Sequence, residues 1–200
     1  MSADNNNFCF FWRTFSPFSQ WHPALFTVKD IVFTSAEQFM MYCKAKLFND
    51  EVVAQKILKL NETTPILFKF IDGHFQKEGY SKNDILKDEN LLAEWNKAQR
   101  KIKDLGKEVA NFKEEEWCKH RENYVYRGNF EKFTQNEDLK KELLNTGNAI
   151  MVEASPYDKI WGIGMKKDHP NATDPNKWFG LNLLGKILTQ LKNNLRIEMQ

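Results

Sequence analysis

The sequence predicts an α+β fold, a helix-dominated single domain with a small mixed or antiparallel sheet. Three observations predict it. Short β-prone runs lie near the N-terminus and at 149–154, and apolar residues recur at helical spacing over much of the rest, enough for four or five helices. The 200 residues, 42% hydrophobic and 14% aromatic, suffice for one sizeable core. With 29 basic against 27 acidic side chains, the charge is too balanced for a general nucleic-acid binder. Recognition of nucleic acid through one base or an end stays open.

Residues 1–7 read as a flexible tail and 8–200 as the domain. Residues 8–15 are aromatic-rich and strand-like, 18–23 form a loop, and 26–33 form a strand pair around Lys29 and Asp30. Thr34 and Ser35 then open a helix. Ala36, Phe39, Met40, Cys43 and Leu47 make its buried stripe, while Glu37, Met41 and Lys44 share a different face. A short amphipathic helix follows over 50–60, with Val53, Ile57 and Leu60 inward.

Residues 61–97, interrupted by Pro65, Gly73 and Gly79, read as an insertion of small core potential. It holds a strand and turn at 68–74 and partial helix at 81–97. A long helix follows over 114–133, with Trp117, Arg121, Tyr124 and Gly128 on one stripe and Cys118 and Val125 on another. Residues 138–144 form a helix ended by Thr146 and Gly147. At 149–154, Ile150, Val152 and Ala154 alternate with Met151 and Glu153, as in a strand with one buried face. A polar loop over 166–177 leads to a last helix striped by Leu181, Leu184, Leu188, Leu191 and Leu195.

Cys9, Cys43 and Cys118 are odd in number and widely spaced, which suits reduced thiols in an intracellular protein, cytoplasmic or nuclear. No apolar run approaches the ~20 residues of a membrane span, and the N-terminus has no secretory pattern. His22, His74, His120 and His169 lack metal-ligand spacing. There is no phosphate-binding glycine loop, nucleophile elbow or HExxH. The expectation is chemistry on a sugar with no metal and no cofactor.

The densest concentration of pocket-type residues is 152–164. An apolar run there turns at Ser155-Pro156 and delivers Asp158, Trp161, Gly162 and Gly164. Carboxylates suit sugar hydroxyls or a developing cation, indole suits stacking, and glycine suits close backbone approach. Each also has a plainer reading. Glu37 can cap its helix with Thr34, although Ser35 and Gln38 can make that cap instead. Lys44 can be a solvated helix lysine, Trp117 a core residue, Glu153 an exposed strand residue and Asp158 a turn cap.

In motif order the chain resembles the NADAR family, the YbiA-like domains, from about Phe8 to Lys192. The likeness runs through Phe18-Ser19-Gln20-Trp21, Thr34-Ser35-Ala36-Glu37-Gln38-Phe39 with Lys44-Ala45, and Leu105-Gly106-Lys107 with Trp117. It continues through Lys132-Phe133-x-Gln135-Asn136, Leu143-Leu144-x-Thr146-Gly147, Glu153…Asp158-x-x-Trp161-Gly162-x-Gly164 and Gly180-x-Asn182-x-Leu184-Gly185-Lys186. Gln20 stands where the family has Asn, Gln38 where it commonly has His, and Lys107 and Lys192 where Arg is usual.

The resemblance implies an N-glycosidase that cuts a ribose C1–N bond. It also implies a substrate class, either ADP-ribose on guanine of a nucleoside or nucleic acid, or phosphoribosylamino-pyrimidine intermediates of riboflavin synthesis. A non-catalytic module holding ADP-ribose or NAD is the competing reading. By the same correspondence Glu37, Lys44, Trp117 and Asp158 are catalytic. Phe18, Ser19, Gln20, Lys107, Glu153, Trp161, Gly162, Gly164 and Asn182 would bind substrate.

Overall fold

In chain order, the computed structural model contains β1 (Phe8–Phe11), β2 (Phe26–Val28), β3 (Ile31–Phe33), α1 (Ala36–Leu47), α2 (Glu51–Lys59), β4 (Phe68–Ile71), β5 (His74–Lys77), α3 (Lys82–Lys87), α4 (Glu89–Lys107), α5 (Glu114–Thr134), α6 (Glu137–Asn145), β6 (Ile150–Glu153) and α7 (Leu183–Ile197). The structure describes residues 7–62, 68–71, 74–77 and 79–198. The tail reading of 1–6, the break at Pro65 and the turn at 72–73 lie outside the described residues. The fold is α+β and mostly helical. Its strands form three pairs, parallel for β1–β6 and antiparallel for β2–β3 and β4–β5. By its contacts the chain divides into two compact units, Gln20–Tyr124 and Met1–Ser19 with Val125–Gln200.

In the unit Gln20–Tyr124, β2 and β3 form a hairpin with Phe26 opposite Phe33. Lys29 and Asp30 both have positive φ, 47° and 64°. That geometry matches the strand twist in a two-residue turn. Phe26, Phe33 and Phe39 cluster behind it, with Phe33 and Phe39 edge to face at 5.1 Å. Helix α1 packs on β3, α2 and α4.

Two expectations are corrected. The described residues hold seven α-helices, more than the four or five expected, and residues 81–97 contribute core. Trp95 and Ile85 are wholly buried together, and the Trp95 indole N–H donates to the Trp21 carbonyl at 2.7 Å. Trp95, Gln99, Ile102, Leu105 and Gly106 are the buried face of α4. Its outward residues are so densely charged that the stripe is diluted in any composition count.

In the other unit, β1 lies parallel to β6, with Phe8 opposite Ile150 and Phe11 opposite Glu153. Met151 and Val152 are both wholly buried, so β6 is covered on both faces rather than one. That is the usual setting of a parallel strand, and it explains why the predicted alternation is absent. Leu184, Leu188, Leu191 and Leu195 are buried along α7 as their spacing predicts, whereas Leu181 precedes the helix and is exposed. On α5, Val125 is buried but Cys118 is exposed.

Two buried lysines replace backbone donors here. The Lys132 ammonium donates to the carbonyls of Pro17 and Ser19 at 2.7 and 2.9 Å. Lys192 donates to the Ala149 carbonyl and the Thr146 hydroxyl. Burial, with a smaller contribution from Arg196, holds Lys192 below the ordinary lysine pKa.

Candidate active site

Helix α1 begins at Ser35, whose hydroxyl accepts the Gln38 N–H at 3.1 Å and donates to Gln99 Oε1 at 2.7 Å. Gln38 completes the cap. Its Oε1 accepts the Thr34 N–H at 2.9 Å, and its amide donates to the Ile57 carbonyl and to Asn61 Oδ1. Of the two caps compatible with the sequence, Ser35 and Gln38 form the one observed. Glu37 therefore sits in the first turn without making that cap. It is 4% exposed, and its backbone N–H donates to the Gln20 carbonyl at 3.0 Å. The carboxyl group is thus removed from water at the positive end of the helix dipole, which favours negative charge there.

Two turns on, Lys44 is half-buried among aromatic rings. Its Nζ lies 4.0 Å from the Phe112 ring centre and 5.8 Å from that of Trp117. Burial pushes the Lys44 pKa down, opposed by the Glu114 carboxylate. Trp117 is buried and stacks on Tyr124 at 6.1 Å and 21°. Burial raises the Tyr124 hydroxyl above its ordinary pKa.

Phe112 is absent from the sequence-derived site. Its position depends on Asp50. One Asp50 oxygen caps α2 through the Val53 N–H, and the other accepts the Ala110 N–H at 2.9 Å. These backbone donors, Ala110 first, hold the Asp50 carboxyl below the usual range. The only sequence signal for Phe112 is an aromatic residue in the short connection between α4 and α5.

Gly106 of the Leu105-Gly106-Lys107 motif is a packing residue. A Cβ there would stand 2.0 Å from the Met41 sulfur, and Met41 lies on the face of Glu37 and Lys44. Gly106→Ala is therefore expected to displace Met41 at a cost of ~1–3 kcal/mol. Thermal melting should show the loss, and adding Met41→Ala should recover most of it. Lys107, assigned to substrate by the resemblance, is exposed and paired with Asp104 at 2.7 Å.

Several residues of the sequence-derived site lie in the other unit. Phe18 packs edge to face on Phe11 and tilted against Phe133, and Ser19 gives its carbonyl to Lys132. Asp158 Oδ1 accepts the N–H groups of Ile160 and Trp161 at 2.9 and 2.8 Å, the plainer turn-capping arrangement. The 158–164 loop is knitted backbone to backbone onto 179–184. Phe179, Leu181, Asn182 and Leu184 donate to the carbonyls of Ile163, Lys159, Gly162 and Trp161. A Cβ on Gly180 would lie 2.3 Å from the Gly162 oxygen, so this contact requires glycine. Gly164 takes a positive φ of 70°.

Asn182, also left-handed at φ 52°, mimics a neighbouring strand. Its Oδ1 accepts the Glu153 N–H and its Nδ2 donates to the Met151 carbonyl, both at 3.0 Å. The structure thus brings Glu37, Lys44, Trp117 and the Gln20 backbone into one unit. Glu153, Asp158, Trp161, Gly162, Gly164 and Asn182 belong to the other. Among the described residues, no group of His, Cys, Asp or Glu is placed to hold a metal ion, and no helix is long and apolar enough to cross a membrane.

The model of the NADAR domain matches residues 10–87 and 75–196. An N-glycosidase of Acanthamoeba polyphaga mimivirus is 38% identical over 182 residues, spanning 88% of this chain and 85% of the relative. Protein irg-1 of Caenorhabditis elegans is 31% identical over 204 residues, spanning 94% of this chain and 79% of the relative. The NMR structure of the E. coli protein YbiA superposes with a TM-score of 0.63 at 20% identity, covering 98% of this chain and 89% of YbiA, a likeness of fold.

Proposed function

The chain belongs to the NADAR domain family, and on that premise we propose that it is an N-glycosidase cutting a ribose C1–N bond, with ADP-ribose on guanine as its substrate. The observation that carries this reading is the α1 face. A buried carboxylate, Glu37, and a half-buried amine, Lys44, lie two turns apart, and burial has lowered the pKa of the amine. Trp117 and Phe112 wall that amine. The relative named an N-glycosidase supports the reaction class. The guanine-linked substrate rests on the family resemblance.

Cleavage of the C1–N bond builds positive charge on the ribose, which a buried carboxylate stabilises. Glu37 supplies that charge. Neutral Lys44 donates its electron pair to C1. The C1–N bond breaks with its pair on the departing nitrogen, which takes up the proton shed by the attacking amine. The ribose ring then opens as its C1–O bond breaks, the ring oxygen taking a proton from water. The resulting iminium on Lys44 is hydrolysed by water to free the sugar and the amine. The environment of Lys44 has opposing effects: burial favours the neutral amine, whereas the facing rings favour the charged one. The lowered pKa supports the amine route over a purely carboxylate one. Asp158 enters the proposal on the resemblance alone, as a carboxylate for sugar hydroxyls.

The test is turnover by purified protein of ADP-ribosyl-guanosine, ADP-ribosylated DNA, NAD and aminopyrimidine ribotides. Release of ADP-ribose from the guanine substrates is expected. Glu37→Gln, which keeps the shape and removes the charge, should lower kcat by ~10²–10⁴. Turnover confined to the ribotides would move the substrate to riboflavin chemistry. Binding of ADP-ribose without product from any substrate would leave a reader module.

A further inference from the structure

Among the described residues the Lys44 amine makes no hydrogen bond and no ion pair, and the faces of Phe112 and Trp117 meet it instead. Phe112 is the nearer, with Nζ 4.0 Å from its ring centre. A ring face attracts an ammonium through its quadrupole. When the proton leaves, no hydrogen bond ties up the lone pair, which is free to attack carbon. A carboxylate in the ring's place would orient the amine but would also hold its proton.

Phe112 lies in the connection between α4 and α5 and is 38% exposed. Two contacts fix it. Its ring meets that of Phe48 edge to face at 5.3 Å, and Phe48 lies one turn beyond Lys44 at the end of α1. Two residues before Phe112, the Ala110 N–H donates to one Asp50 oxygen at 2.9 Å, while the other accepts the Val53 N–H at 3.0 Å and caps α2. One carboxylate thus ties the start of α2 to the segment that carries the ring.

We propose that Phe112, held by Asp50, is a positioning residue of the glycosidase site, fixing the Lys44 amine over its ring face for attack at C1. This role rests on the amine route of the glycosidase. Few titratable groups surround the amine. The buried residues of α2 and α4, which pack on α1, include none, and β3 has none. Glu37 and Cys43 lie on α1 itself, and Glu114 and Tyr124 come from α5, with Arg121 3.8 Å from Glu114. Substitution at 112 leaves all of these in place.

Reductive methylation with formaldehyde and cyanoborohydride, mapped by peptide mass, reads the neutral fraction of Lys44 on the full chain without any turnover. In Phe112→Leu the charged form loses the ring face. The midpoint of labelling against pH is expected to fall, by the equivalent of an about two- to fivefold loss of proton affinity. Phe112→Tyr should keep the parent midpoint. With ADP-ribosyl-guanosine, Phe112→Leu should lower the plateau kcat about tenfold at a KM near the parent's, and Phe112→Tyr should restore it. Asn at position 50 keeps an oxygen for the α2 cap but cannot serve Ala110 as well. Asp50→Asn should therefore move midpoint and kcat in the same direction, by less. Phe112 is partly exposed, so melting temperatures should stay near the parent's and show that the variants are folded.

An unchanged or raised midpoint in Phe112→Leu would mean that the ring merely shields the amine, and overturns the role. Asp50→Asn with the parent's midpoint and kcat removes Asp50 from it. A lowered midpoint in a chain that turns over no N-glycoside keeps the ring's hold on Lys44 and rejects the glycosidase. Turnover by the parent with kcat unaltered in Phe112→Leu keeps the glycosidase and rejects the positioning role.

Discussion

Borohydride added during turnover is expected to trap the sugar on Lys44, and peptide mass mapping should find the adduct there and on no other lysine. An imine forms only from a neutral amine, and burial lowers the Lys44 pKa against the raising influence of Glu114. kcat should therefore rise with pH and level off above that lowered pKa. Glu114→Gln removes the opposing charge and should move the inflection to lower pH. The stability effect has the same sign. Between the lowered value and the ordinary lysine range the unfolded chain holds the extra proton, so this group's contribution to stability rises with pH there.

Lys44→Met keeps the length and removes the amine. It should cost ~10³ in kcat with little change in KM, because the lost interaction belongs to the reacting atoms. Full turnover under reducing conditions with no adduct would return the reaction to Glu37 and water.

Asn182→Ala is expected to act on folding rather than on substrate. The change leaves the Glu153 N–H and the Met151 carbonyl without their amide partners. It also places alanine at a positive φ that Asn tolerates better. Each stranded backbone group costs ~1–3 kcal/mol, so the midpoint of urea unfolding should fall by the equivalent of ~2–5 kcal/mol. KM measured well below the melting transition should stay near the parent value. A raised KM at unchanged stability would restore Asn182 to the substrate-binding role drawn from the resemblance.

The Asn182 side chain shows where sequence reasoning reaches its limit. The spacing of Glu37, Met41 and Lys44 is legible because a helix fixes it at 3.6 residues per turn, whatever packs outside. So is the turn at Lys29 and Asp30, set by two flanking aromatic strands. The choice between Thr34–Glu37 and Ser35–Gln38 as the cap is not legible, since both fit the local pattern. It was decided by Gln99, Ile57 and Asn61, which engage Ser35 and Gln38 from other elements. Phe112 over Lys44 depends on an Asp50–Ala110 hydrogen bond across 60 residues of chain, and no periodicity encodes it. Gly162 reads as room for a ligand, yet a Cβ there would meet the Glu153 and Asp158 carbonyls, and Gly180 packs against the Gly162 oxygen.

By itself, then, the chain's order of residues determined the α+β class, the family, and which side chains share a helix face, because these follow from short-range geometry and composition. Only the tertiary structure decided which carboxylate is buried, which lysine loses its water, and which side-chain amides serve the backbone. Those outcomes are set by desolvation and hydrogen-bond partners that arrive from distant parts of the chain.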